Sequence, residues 1–147
     1  MKHITKLTVG LITIALVSCK YELQISTGSY LEQGNKHYNR EEFEQAIADY
    51  NQAIQLNPKY AYAYNNRGIV YYNQGKYDLA IADYNQAIQL NPKYANAYYN
   101  RGLTYKAKRN IEKAISDFEK AADLYKQQGN QTWYQNSLDQ LKKLRGS

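Results

Sequence analysis

Apolar and small residues recur at helical spacing along most of this chain. Ala46, Ile47, Tyr50, Ala53, Ile54 and Leu56 form one amphipathic stripe, wide enough to face two neighbours. The stripe ends at Asn57-Pro58, where the proline biases the residue before it away from helix. A second stretch begins near Ala61, with Tyr64, Gly68, Tyr71 and Tyr72 on related faces, and stops near Asn73-Gln74-Gly75. The pattern predicts two antiparallel helices joined by a tight turn. The segment Ala46 to Ala61 then recurs unchanged as Ala80 to Ala95, thirty-four positions on. A repeat at that offset is a stacked helical unit, which cannot bury its apolar face alone and so builds a surface. From Gly129 onward, Trp133, Tyr134, Leu138, Leu141 and Leu144 make one more stripe, predicting a last helix with one wet face. No segment reads as a strand.

The repeated residues resemble the tetratricopeptide repeat family. In the copy 61–94 the matching positions are Tyr64, Gly68, Tyr71, Ala80, Tyr84, Ala87 and Pro92. The copy 27–60 matches through Tyr30, Gly34, Ala46, Tyr50, Ala53 and Pro58, with His37 where an aromatic is usual. The copy 95–128 matches through Tyr98, Gly102, Tyr105, Ala114, Phe118 and Ala121, with Lys126 in place of the proline, so its second helix is expected to run on. The resemblance implies an all-α fold: a right-handed superhelical solenoid of three helix hairpins, closed by a C-terminal capping helix over 129–147. Gly34, Gly68 and Gly102 leave room that aromatic rings fill, in large-against-small packing. Most tyrosines are therefore read as core, with base stacking as the weaker alternative, and Trp133 is read as the anchor of the last helix.

Arg67 and Arg101 each follow an aspartate one helix earlier, so half-buried pairs Asp49–Arg67 and Asp83–Arg101 are expected. The alternative is that both arginines face a ligand. Asn39-Arg40-Glu41-Glu42 has the spacing of an asparagine-led capping box, with Glu41, Glu42 and Glu44 in the first helical turn.

The N-terminus follows a different rule. Lys2 and Lys6 precede the apolar run Leu7 to Val17, too short to span a bilayer and typical of a signal-peptide core. Leu16-Val17-Ser18-Cys19 resembles the lipobox of bacterial lipoproteins, which implies removal of 1–18, lipidation of Cys19 and a short linker over 19–26. A bacterial envelope location follows from that resemblance, membrane-anchored and facing the periplasm or exterior. An uncleaved hydrophobic anchor is the alternative. Cys19 is the only cysteine, so no internal disulfide forms.

Net charge falls from +6 to +4 once Lys2 and Lys6 are removed. Residues 95–147 carry ten basic and five acidic side chains, against seven and eight over 19–94. That asymmetry makes the C-terminal third a candidate for an acidic partner or anionic headgroups, with a solvated surface as the alternative. Nucleic acid does not fit an exported protein. No cofactor, metal cluster, catalytic triad or phosphate loop is legible, and His37 stands alone on a packing face. The chain reads as a non-enzyme.

In the resembled family the first helix of each hairpin lines a concave groove that receives an extended peptide or helix. Here that strip holds Leu31, Asn35 and Tyr38, then Tyr62, Asn65, Asn66, Ile69 and Tyr72, then Asn96, Tyr99, Asn100, Leu103 and Lys106. Asparagine both donates to and accepts from a peptide backbone, and tyrosine adds contact area with little entropy to lose. Family members that grip a C-terminal carboxylate use two asparagines, matched by Asn35 and Asn66. Their basic positions are filled here by Leu31, Asn96 and Asn100, so the charge for that grip is missing. The reading is a lipid-anchored protein-interaction module, with structural self-assembly or an accessory role in an envelope enzyme complex as alternatives.

Overall fold

A computed structural model describes residues 17–18 and 26–146. Its helices are α1 (residues 26–39), α2 (Phe43–Leu56), α3 (Ala61–Asn73), α4 (Tyr77–Leu90), α5 (Ala95–Ala107), α6 (Ile111–Gln127) and α7 (Gln131–Arg145). There is no strand among the described residues, and no helix there is long and apolar enough to cross a membrane. Cys19, on which the expected lipidation rests, lies outside the described residues, as do residues 1–16. From α2 to α7 each helix packs on its chain neighbours, and α3 also meets α5 directly. Successive hairpins therefore align their first helices along one side, as stacking units must.

The expected helix hairpins and the last helix appear in the expected order. Asn57 and Asn91 each accept a hydrogen bond from the backbone N–H two residues on, at 3.1 Å, so the Asn-Pro pair both stops the helix and shapes the turn. Without that proline α6 runs on to Gln127. Helix α7 starts behind Asn130, whose side chain accepts from the Trp133 N–H.

One packing rule repeats through the stack. A Cβ at residue 34 would lie 2.5 Å from the Tyr50 ring, one at residue 68 would lie 2.7 Å from Tyr84, and one at residue 102 would lie 3.0 Å from Phe118. Each second helix thus lays an aromatic ring on a glycine of the first helix. Tyr50, Tyr84 and Phe118 are at most 1 % exposed. The core is correspondingly divided: one cluster around Ala46, Tyr50 and Val70, one around Ala61, Ala87 and Ala97, and a larger one from Tyr99 through Phe118 to Leu141.

The ion pairs differ from the expected ones. Arg67 donates twice to Asp83, from Nε at 2.8 Å and Nη2 at 2.7 Å, and its Nη1 donates to Asn51. Arg101 repeats the arrangement with Asp117 at 2.8 and 2.7 Å and with Asn85. Neither uses the aspartate of the preceding helix. The aspartate position looks into its own hairpin, so each bidentate pair closes a hairpin, while the asparagine two residues further on ties the arginine to the previous unit. Each guanidinium also lies within 6 Å of two tyrosine rings, Tyr64 and Tyr71 or Tyr98 and Tyr105. These arginines are scaffold, not ligand-facing. Hydrogen bonds from Arg67 to Asp83 raise the Arg67 pKa further. In the first hairpin Gln33 stands in the arginine place, and Asp49 instead meets His37 Nδ1 at 2.7 Å, with Glu42 3.7 Å from Nε2. His37 is therefore paired rather than alone.

The capping box does not form. Asn39 ends α1, Glu42 is the residue before α2 and makes no side-chain cap, and Glu41 sits in the turn with φ 60°. Arg109 occupies the same turn of the third hairpin at φ 60°, where the second hairpin has Gly75 at φ 71°. A side chain in this left-handed region is disfavoured, and glycine relieves it. Arg109→Gly should therefore raise stability by about 0.5–1 kcal/mol in a urea melt. Asp83→Ala should cost about 2–3 kcal/mol, since it leaves a largely buried guanidinium unpaired. Asp49→Ala, which removes a single hydrogen bond to His37 rather than a bidentate pair, should cost clearly less. Equal losses for the two aspartate variants would contradict the pairing described above.

Candidate functional site

Three strips run side by side along the aligned first helices. Leu31, Asn35 and Tyr38 on α1 share the spacing of Tyr62, Asn66 and Ile69 on α3, and of Asn96, Asn100 and Leu103 on α5. Positions i, i+4 and i+7 fall on one helix face. Between the first two strips lies a cavity of about 280 Å³ lined by Asn35, Tyr38, Asn39, Tyr50, Asn66 and Ile69. Four of these linings, Asn35, Tyr38, Asn66 and Ile69, were legible in the sequence as groove residues.

The asparagines are wired to one another. Asn100 Nδ2 donates to Asn65 Oδ1 at 3.0 Å, Asn65 Nδ2 to Asn66 Oδ1 at 3.1 Å, and Asn66 Nδ2 to Asn35 Oδ1 at 2.9 Å. Tyr50 Oη also donates to Asn35 Oδ1, at 2.8 Å. This amide ladder crosses all three hairpins and fixes the orientation of every member. Burial raises the Tyr50 phenol well above its ordinary range, as it does for Tyr84, Tyr94 and Tyr125, so Tyr50 remains a neutral donor.

Other predicted residues are placed differently from one another. Asn65 is 2 % exposed and Tyr99 8 % exposed, so both belong to the packing rather than to the open strip. Tyr99 lies edge-on to Phe118 at 5.4 Å and to Trp133 at 5.2 Å; the last helix lands on it, which the internal copies alone could not indicate. Tyr72 packs on Tyr77, Leu103 lies against the C-terminal cluster, and Lys106 donates to Gln140 on α7. Tyr38 accepts from Asn73 at 2.9 Å. Tyr62 stays half exposed beside Tyr60 and Tyr94, with ring centroids 6.0 and 5.0 Å away. Asn96 accepts from Tyr125 Oη at 2.8 Å, and Tyr125 stacks on Trp133, centroid to centroid 6.0 Å. Trp133 anchors α7 by one face only and is 41 % exposed.

Two contributors were missed. Tyr50 reaches the cavity because its ring passes over Gly34 and brings the hydroxyl to the next residue, Asn35; the glycine-to-aromatic spacing, common to all three hairpins, carried that information. Asn39 was hidden by its assignment to a cap. Among the described residues no group of three or more histidine, cysteine, aspartate or glutamate side chains is placed to hold a metal.

Stacked helix hairpins with a lined concave face define a class of binding solenoid, and comparison with known proteins specifies it. Tetratricopeptide repeat family models match residues 34–75, 70–109 and 95–130. The chain belongs to the tetratricopeptide repeat family. No curated protein matches it. Among solved structures, the second TPR domain of human RPAP3 in complex with the HSP70 peptide SGPTIEEVD is 27% identical, with TM-score 0.73, over 84% of this chain and 98% of that one. The first TPR of Spaghetti (RPAP3) bound to the HSP90 peptide SRMEEVD is 27% identical, with TM-score 0.72, over 83% of this chain and 94% of that one. The Arabidopsis OM64 TPR domain is 25% identical, with TM-score 0.73, over 82% and 98%.

Proposed function

We propose that this chain is a non-enzymatic interaction module that holds an extended peptide of a partner protein across the three aligned strips. The observation that carries this reading is the cavity at the junction of the first two hairpins, where Asn35 and Asn66 meet above Tyr50. Similar solved domains hold peptides, and this site offers the amide groups that bind a peptide main chain. Leu31, Asn96 and Asn100 are neutral, so a free C-terminal carboxylate is not what the site selects.

We further propose that Cys19 carries a lipid and that the solenoid is displayed from a bacterial envelope membrane. The support is in the sequence: Lys2 and Lys6, the apolar run, and Leu16-Val17-Ser18-Cys19.

Capture from detergent-solubilised envelope with the full chain as bait tests the first proposal. A partner should be recovered whose retention falls at least about tenfold when Asn66→Ala is combined with Tyr38→Ala, a loss of the size that a few hydrogen bonds and one ring contact supply. Equal retention by a variant with an unchanged circular dichroism spectrum would remove the groove from the function. For the second proposal, Cys19→Ser should move the protein from the membrane to the soluble fraction; retention on membranes would refute lipid anchoring.

A further inference from the structure

The turns that join one hairpin to the next form a single rim. Segments 57–62, 91–96 and 126–133 are tied together by the Tyr62–Tyr94 ring pair, and by Gln128, whose amide donates to the Lys93 carbonyl at 2.9 Å. Helix α1 runs parallel to α3, since Asn35 meets Asn66 and Tyr38 meets Asn73, so residue 26 enters the solenoid at this same end. Lys59, Lys93 and Lys126 are exposed on the rim and make no ion pair among the described residues. The three segments contain no carboxylate. The opposite edge, through 40–44, 74–78 and 108–112, mixes its bases with Glu41, Glu42, Glu44, Asp78 and Glu112. One end of the stack thus carries both signs of charge, and the other carries cations alone. Two aromatic rings stand out on the cationic end. Tyr62, in the first turn of α3, is half exposed and braced by Tyr60 and Tyr94. Trp133, in the first turn of α7, is partly exposed and braced by Tyr99 and Tyr125.

Exposed tyrosine and tryptophan beside unpaired lysines is the composition of a membrane–water interface. The ring bodies enter the headgroup layer with their polar tips wet, while lysine stems lie along apolar surface and the ammonium groups meet phosphate. An acidic soluble partner would satisfy the lysines as well. What favours the bilayer is where the chain enters the fold: residues 19 to 26 span at most about 25 Å when fully extended. An acyl group on Cys19 therefore keeps this end of the solenoid within reach of the headgroups. We infer that the rim docks on the anchoring membrane, with Tyr62 and Trp133 in the headgroup layer and Lys59, Lys93 and Lys126 against anionic phospholipid. The inference rests on the reading of Cys19 as a lipid anchor. It uses none of the residues that line the cavity between the first two strips, so a docked molecule keeps that cavity for a peptide.

Trp133 is the sole tryptophan, so its emission reports the rim directly. The full chain, purified from membranes in detergent, is reconstituted on vesicles of phosphatidylcholine and phosphatidylglycerol. Co-sedimentation with the vesicles reports the anchor. Quenching of Trp133 by lipids brominated near the headgroup end of their acyl chains reports the rim. Trp133 should be quenched by the brominated lipid and shielded from aqueous acrylamide. Combining Lys59→Glu, Lys93→Glu and Lys126→Glu should lower the docked-to-undocked ratio at least about tenfold, with the thermal melt and the sedimentation unchanged. Lys142→Glu with Lys143→Glu, at the other end of α7, should leave the quenching as it was. A sedimenting wild type whose Trp133 stays open to acrylamide and unquenched by lipid overturns the inference and leaves the anchor standing. Equal quenching of the triple variant, or loss of quenching in the Lys142–Lys143 variant to the same degree, also overturns it. A wild type that does not sediment overturns the anchor and the inference together.

Discussion

The seating of one aromatic ring on one glycine, three times over, is the constraint from which the rest of this molecule follows. Tyr50 on Gly34, Tyr84 on Gly68 and Phe118 on Gly102 let the two helices of each hairpin approach more closely than any side chain at those glycines would permit. Close approach makes the hairpin narrow, and narrow hairpins stack with their first helices side by side. The same contact decides what the groove floor is made of. A tyrosine ring lying over Gly34 delivers its hydroxyl to Asn35, whereas the phenyl ring of Phe118 has none to deliver and meets Tyr99 instead. A phenol hydroxyl thus reaches the first helix in the first hairpin and none does in the third, without any change in backbone design.

A second layer locks the second and third hairpins away from the groove. The bidentate Arg67–Asp83 and Arg101–Asp117 pairs are largely buried, so their strength comes from geometry and from satisfied hydrogen bonds rather than from bare Coulomb attraction. Asn51 and Asn85 extend each lock to the preceding unit, and flanking tyrosine rings shield the guanidinium. The first hairpin lacks an arginine at that place, and His37 takes over Asp49. Its second helix is thereby held by an imidazole rather than by a two-pronged clamp.

The architecture was legible because it is local and repeated: the Asn-Pro stops, the glycines under aromatics and the missing proline at the end of α6 each act within one hairpin. What failed to be legible was direction. An aspartate sixteen residues after an arginine and one eighteen before it are equally plausible partners in a linear string, and only the packing shows that Asp83 rather than Asp49 faces Arg67. The groove was half legible for a related reason. Helical spacing marks which residues share a face, so Asn35, Asn66 and Ile69 were found. It does not mark what the next element covers, so the burial of Tyr99 under Trp133 and of Asn65 within the ladder was invisible.

Identical sequence does not give identical environment. Asp49 and Asp83 belong to the verbatim copies, yet one meets a histidine and the other an arginine; Tyr50 and Tyr84 are likewise copies, yet only Tyr50 has an asparagine beside its glycine to receive its hydroxyl. In both cases the difference originates in the first helix, at Gln33 against Arg67 and at Asn35 against Ile69. In these two hairpins the second helices supply the same wall, and the first helices decide what that wall does. Divergence confined to the first helices can therefore change the donors, acceptors and rings along this face while every glycine contact that sets the helix spacing is kept, so the chemistry of the face and the fold are controlled by separate sets of residues in the same hairpin.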